Sequence, residues 1–103
     1  MKELLDDIER WQSKGEQVCV ATVVATRRSA PRPIGSSFAI SQNGELAGSV
    51  SGGCVESDIY HEAEEVFRTG DPKLLSYGIA DEEGWKVGLP RGGEIDVFLE
   101  RLS

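Results

Sequence analysis

Leu4, Ile8 and Trp11 recur at helical spacing, with Leu5 beside them, and predict a helix over residues 2 to about 14. Gly15 supplies its stop, and its acids gather early, where the helix dipole favours them. Between Val18 and Ala25 only Thr22 is polar, so Gln17 to Thr26 reads as a central strand buried on both faces. Ser36 to Ser41 and Leu46 to Ser51 are short strand-like runs flanking Gln42-Asn43-Gly44-Glu45, and Asn-Gly is a strong hairpin signal. On a helical wheel Val55, Ile59, Ala63, Val66 and Phe67 share one arc, opposite Ser57, Asp58, His61, Glu64, Glu65 and Arg68. Lys73 to Tyr77 and Glu94 to Leu102 complete the strands, the latter with Ile95, Val97 and Leu99 alternating with Glu94, Asp96 and Phe98.

The order helix, three strands, helix, two strands predicts a single small α/β domain with a mixed sheet of about five strands. At 103 residues the chain has room for one core and not for a second folding unit. The acidic stretch from Ala80 to Pro90, containing Trp85, reads as an irregular loop whose tryptophan is a lid or a packing anchor.

No run approaches the roughly 18 apolar residues of a membrane span, and Lys2, Glu3, Asp6 and Asp7 do not open a signal peptide. The expectation is a cytoplasmic protein. Cys19 and Cys54 sit in unlike contexts and suggest no disulfide, which fits the same compartment. Cys19, within the apolar strand, reads as a small hydrophobe.

A net charge of −7 argues against nucleic acid as a partner. The charge is uneven, however. From Gln17 to Gly53 the ionised side chains are Arg27, Arg28, Arg32 and Glu45, leaving +2 on that stretch. A basic island on an acidic chain points to a small anionic ligand. Arg27 to Ser37 holds Pro31 and Pro33, which forbid helix and keep the loop extended. Arg28, Arg32 and Ser36 there supply donors for phosphate or carboxylate, unless they form an ordinary solvated turn.

The most distinctive stretch is Gly48-Ser49-Val50-Ser51-Gly52-Gly53-Cys54-Val55-Glu56. Paired glycines entering a helix can turn backbone N–H groups toward an anion, and a thiol at a helix start is pushed toward thiolate. Glu56, at about 100° per residue, falls inside the apolar arc of the helix and so leans toward the protein. It reads as half of a capping box with Gly53 as N-cap, as a ligand contact, or as both. The hairpin should bring the basic loop and Cys54 to the same edge of the sheet.

Other chemistry is not evident. His61 is alone on a polar helix face, neither cysteine has a zinc-like second ligand, and the glycines form neither a dinucleotide fingerprint nor a P-loop.

Five segments carry a resemblance: Ala21-Thr22-Val23-Val24, Ser29 to Gly35, Asn43-Gly44-Glu45, Gly48 to Glu56, and Gly92-Gly93-Glu94-Ile95-Asp96-Val97-Phe98. Together they resemble the N-terminal domain of the XdhC/CoxI family, accessory proteins of xanthine dehydrogenase and related molybdenum hydroxylases. The resemblance implies a maturation factor rather than an enzyme. Such a factor binds molybdenum cofactor transiently, holds it for sulfuration and passes it to an apo-enzyme of the xanthine or CO dehydrogenase type. It makes Cys54 the contact to molybdenum or sulfur, the only route by which a metal is met, with Gly52 and Gly53 shaping the pocket and Glu56 organising its mouth. Ser51, Arg28, Arg32, Ser36 and Arg91 complete the expected cofactor site.

Two departures accompany it. Arg91 stands where family members commonly carry a second cysteine, and the expectation from these 103 residues is the N-terminal domain alone, without the family's Rossmann-like C-terminal domain. Expected partners are therefore a molybdenum hydroxylase client, a cysteine desulfurase, a separate Rossmann-type chain and, for so small a domain, a second copy of itself. A docking adaptor without ligand and a sulfur carrier working through Cys54 remain as other readings.

Overall fold

In the computed structural model, residues 2–28, 32–51, 53, 55–78 and 93–102 are described. The chain runs α1 (Lys2–Ser13), β1 (Val18–Arg28), β2 (Ser37–Ser41), β3 (Leu46–Gly48), α2 (Glu56–Thr69), β4 (Lys73–Gly78) and β5 (Gly93–Leu102). The expected order of two helices and five strands is the observed one. The predicted acidic loop with Trp85 lies outside the described residues.

The strands form one sheet in the order β3-β2-β1-β5-β4. Every neighbouring pair is antiparallel, so the expectation of a mixed sheet is corrected. The reason is topological. The crossover through α2 leads from β3 at one edge to β4 at the other, so these two strands run the same way without being neighbours. The helical crossover therefore creates no parallel pair.

The two helices cover opposite faces. Ile59, Ala63 and Val66 of α2 pack with Cys19, Ala21 and Val23 of β1, Phe38 and Ile40 of β2, and Ile95, Val97 and Leu99 of β5. Leu4, Ile8 and Trp11 of α1 pack with Val18 and Ala39 on the other side. Alternation along β1 thus serves two cores, which explains its nearly unbroken apolar run. Leu5, beside the buried stripe of α1, is exposed instead.

Each fully buried Val, Leu, Ile or Phe side chain here stabilises the domain by about 1.5–3 kcal/mol relative to its exposed state. Large members of the two clusters, among them Trp11, Phe38, Ile59 and Leu99, tie the helices to the sheet. The site is therefore mounted on a rigid frame.

The β2–β3 hairpin turns where Asn43-Gly44 predicts it. Gly44 takes φ +91, and its N–H donates to Ser41 O at 3.0 Å. The second hairpin strand is shorter than its sequence pattern suggests, ending at Gly48 rather than Ser51. Gly48 explains the stop: it has φ +80, and a Cβ there would lie 2.3 Å from the Ser37 carbonyl oxygen. Only glycine admits that approach. The register Phe38↔Gly48 and the hydrogen bond from Ser49 N–H to Ser37 O set the loop before β2 beside the residues that follow β3.

Candidate functional site

A carboxylate gathers the turn between β3 and α2. Glu56 Oε2 accepts from Ser49 Oγ at 2.8 Å, Val50 N–H at 2.9 Å and Ser51 N–H at 3.0 Å. Its Oε1 accepts from Gly53 N–H at 3.1 Å, from Val55 N–H at 3.3 Å and from the Ser51 hydroxyl. The Ser51 hydroxyl in turn accepts from Val55 N–H at 3.0 Å. Val50 and Ser51 are buried beneath this arrangement.

The local arrangement differs from a capping box. Val55 is the N-cap, with φ −123 and no side-chain cap, and Glu56 is the first helical residue rather than the third. The carboxylate still reaches back to Gly53, but it also collects groups as far upstream as Ser49. Its inward lean on the helical wheel is what allows this. Burial pushes the Glu56 carboxyl pKa up, yet hydrogen bonds from the Ser51 hydroxyl, Val50 N–H and the Ser49 hydroxyl outweigh that and hold it at about 2. It is a carboxylate at any physiological pH.

This changes the chemistry the glycine turn offers. The N–H groups of Val50, Ser51, Gly53 and Val55 are directed at an anion belonging to the chain itself. An incoming phosphate would meet a fixed negative charge there. Donors for such a ligand must come from elsewhere in the cleft.

Arg32 is placed to provide them. With Phe38, Gly48, Ser49, Gly53 and Glu56 it lines a cleft of about 480 Å³. The expectation that the arginine loop and the glycine turn share a sheet edge is met for Arg32 and Gly53. Ser36 lines a neighbouring cleft of about 590 Å³, bounded also by Leu4 and Asp7 of α1, Ile34 and Gly35. Leu46, Ala47, Gly48 and Ser49, at the edge strand and its exit, line both clefts, one on the α1 side of the sheet and the other on the α2 side.

The other expected site residues fall differently. Ser51 is 2% exposed and supports the loop from below, facing Glu56 and Val55. Gly52, Cys54 and Arg91, and the side chain of Arg28, lie outside the described residues. Arg27, part of the basic island, is bound in a cross-strand ion pair network with Glu94 at 2.8 Å and Asp96 at 3.0 Å. Its charge is thereby matched locally.

Cys19 is fully buried, and burial raises its pKa to about 11, only partly countered by Arg101. It is a packing residue, as its sequence context suggests. His61 is exposed on α2. No group of three or more histidine, cysteine, aspartate or glutamate side chains among the described residues is placed to hold a metal ion.

Ser49 and Asp7 line these clefts without having been singled out by the sequence pattern. A signal for Ser49 was present: two hydroxyl residues lie five and seven positions before an inward-leaning carboxylate. None pointed to Asp7, because its place in the cleft on the α1 side depends on how α1 packs on the sheet.

The fold and site define a small antiparallel α/β domain whose polar chemistry converges on one loop cluster at a sheet edge. The chain belongs to the XdhC and CoxI family, which matches residues 11–78. It is 35% identical over 89 residues to the molybdenum cofactor insertion chaperone PaoD of Escherichia coli K12. It is 31% identical over 90 residues to a probable xanthine dehydrogenase subunit of Bacillus subtilis 168. Each alignment takes in 85% of this chain and 27% of the relative, so the chain spans about a quarter of the length of these proteins. A crystal structure of a xanthine dehydrogenase from Bacillus halodurans superposes with TM-score 0.77 at 25% identity, over 95% of this chain and 30% of that one.

Proposed function

We propose that this chain is a maturation factor that binds molybdenum cofactor as cargo and assists its sulfuration or its insertion into a molybdenum hydroxylase of the xanthine or CO dehydrogenase type. The observation that carries the reading is the groove in which Arg32 faces the Glu56-fastened loop. The residues suit the cargo: a guanidinium for the terminal phosphate, a side-chain-free floor at Gly48 and Gly53, and, from the sequence, a thiol at Cys54 for a thiophilic metal. Similarity to a molybdenum cofactor insertion chaperone supports the same reading.

In this reading each group has a distinct task. Arg32 binds the phosphate end of the cargo, because Glu56 already engages the described N–H groups of the turn. Glu56 and Ser51 fix the backbone on both sides of Cys54 through the N–H groups of Gly53 and Val55. Cys54 meets the molybdenum or its sulfur. The chain performs no turnover of its own and works in the cytoplasm with a hydroxylase client. A cysteine desulfurase, a Rossmann-type chain and a second copy are its further candidate partners. No helix among the described residues is long and apolar enough to cross a membrane.

The test is transfer. Protein loaded anaerobically with cofactor should activate an apo-hydroxylase faster and further than the same amount of free cofactor. Equal activation by free cofactor and by the loaded chain would remove the maturation role.

A further inference from the structure

β3 lies at an edge of the sheet, and its bonds to β2 fix which of its main-chain groups face outward. Ser41 N–H donates to Glu45 O at 2.8 Å, and Ser49 N–H donates to Ser37 O at 2.9 Å. The N–H and C=O of one trans peptide point opposite ways, so Leu46 N–H and Gly48 C=O are directed away from β2. Ala47 pairs with Ala39 between them, and the same alternation turns Leu46 C=O and Gly48 N–H outward. The open edge thus offers the donor and acceptor of Leu46 and the donor and acceptor of Gly48.

The side chains along this edge are self-complementary. Leu46 stands opposite Ile40, a member of the core beneath α2, yet is itself 53% exposed. Gly48 presents no side chain, and Ala47 packs toward the α1 side. We infer that this edge pairs with the β3 edge of a second copy of the chain, antiparallel, about a twofold axis between the two Ala47 residues. In that register Leu46 of each copy lies opposite Gly48 of the other, and each such pair exchanges both main-chain hydrogen bonds. Each leucine then covers the bare glycine of the other copy, beside Phe38 in the α2-side cleft. The two Ala47 residues meet as a non-hydrogen-bonded pair, and their methyl groups permit that close approach. Glu45 falls opposite Ser49, so no like charges are opposed. A shift of one residue would set outward groups against inward ones, and a shift of two would bring only one outward pair together. The pairing makes one continuous sheet of the two and buries an edge that is otherwise open. It rests on the second-copy partnership of the reading above and not on cofactor binding.

The experiment uses cofactor-free protein. Sedimentation velocity over a concentration series should show wild type in equilibrium between monomer and dimer. Leu46→Pro removes an outward N–H and the leucine but spares the bonds of Ala47 to β2, so it should be monomeric with the far-ultraviolet spectrum of wild type. Ala47→Cys places thiols at the twofold axis, where the Cα separation of such a pair, about 4.5 Å, suits a disulfide. Under mild oxidation it should form a covalent dimer about tenfold or more faster than Leu74→Cys, on the opposite edge strand, with position 47 linked to itself in the peptide map. A wild type that stays monomeric at submillimolar concentration overturns the pairing. So does a folded Leu46→Pro that still dimerises, or crosslinking of Leu74→Cys as fast as that of Ala47→Cys. If Leu46→Pro does not fold, the crosslinking rates decide. None of these results bears on cofactor retention, so the pairing and the cofactor reading fail separately.

Discussion

The Ser51 hydroxyl donates to the Glu56 carboxylate while accepting the Val55 N–H at 3.0 Å, so one buried hydroxyl joins the end of the hairpin to the start of α2. Ser51→Ala removes both bonds and leaves a partly buried carboxylate with one donor fewer. The expected cost is about 1–3 kcal/mol, read as a lower urea midpoint at unchanged slope. Ser57→Ala, at an exposed position on the same helix, should stay within about 0.5 kcal/mol of wild type.

Glu56 titrates at about 2 in the folded chain, below its ordinary value of 4.5. A depressed carboxylate contributes stability that is fully present above its unfolded pKa and is lost as pH falls through the folded one. Wild type should therefore lose this contribution between about pH 4.5 and pH 2. Glu56→Gln cannot titrate, so its stability should be lower at neutral pH, and the difference between the two proteins should shrink across that window. Parallel profiles would show that the carboxylate charge does not hold the loop.

Cys19 lies in the core with its pKa raised to about 11. In native protein at pH 8 a thiol reagent should leave it unmodified, and unfolding should expose it. Peptide mapping after alkylation identifies the site. Rapid native labelling of Cys19 would contradict the packing of β1 between the two helices.

Much of the architecture was legible because the apolar period of α1, α2 and β5 matches their burial, although Leu5 of α1 and Val24 of β1 are exposed. The stripe Leu4, Ile8, Trp11 and the alternation Ile95, Val97, Leu99 are buried as their spacing requires. Strand direction was less accessible. A helical crossover suggests a parallel pair, and only the strand order shows that β3 and β4 never meet. The early end of β3 was hidden for a similar reason, since the contact forbidding a side chain at Gly48 is with Ser37, in another strand.

At the site, the wheel position of Glu56 disclosed that it faces inward, but not how much it binds. Backbone N–H groups are invisible to side-chain patterns, so the sequence leaves open whether the turn holds an external anion or Glu56, and its described donors point to the chain's own carboxylate. The arginine loop was legible as basic. That Arg27 is engaged by Glu94 and Asp96 follows from the pairing of β1 with β5, whereas Arg32 lies past the end of β1 and lines the cleft beside Glu56.

The most direct test of a cofactor site at this loop is retention of the cargo. Purified protein is mixed anaerobically with molybdenum cofactor, desalted and assayed for bound pterin and metal, for wild type, Cys54→Ala and Arg32→Ala. Near-stoichiometric retention by wild type is expected, with metal retention lost or strongly reduced in Cys54→Ala and both components weakened in Arg32→Ala. Retention by Cys54→Ala and Arg32→Ala equal to that of wild type would contradict a cofactor site at this loop, and so would its absence from all three proteins.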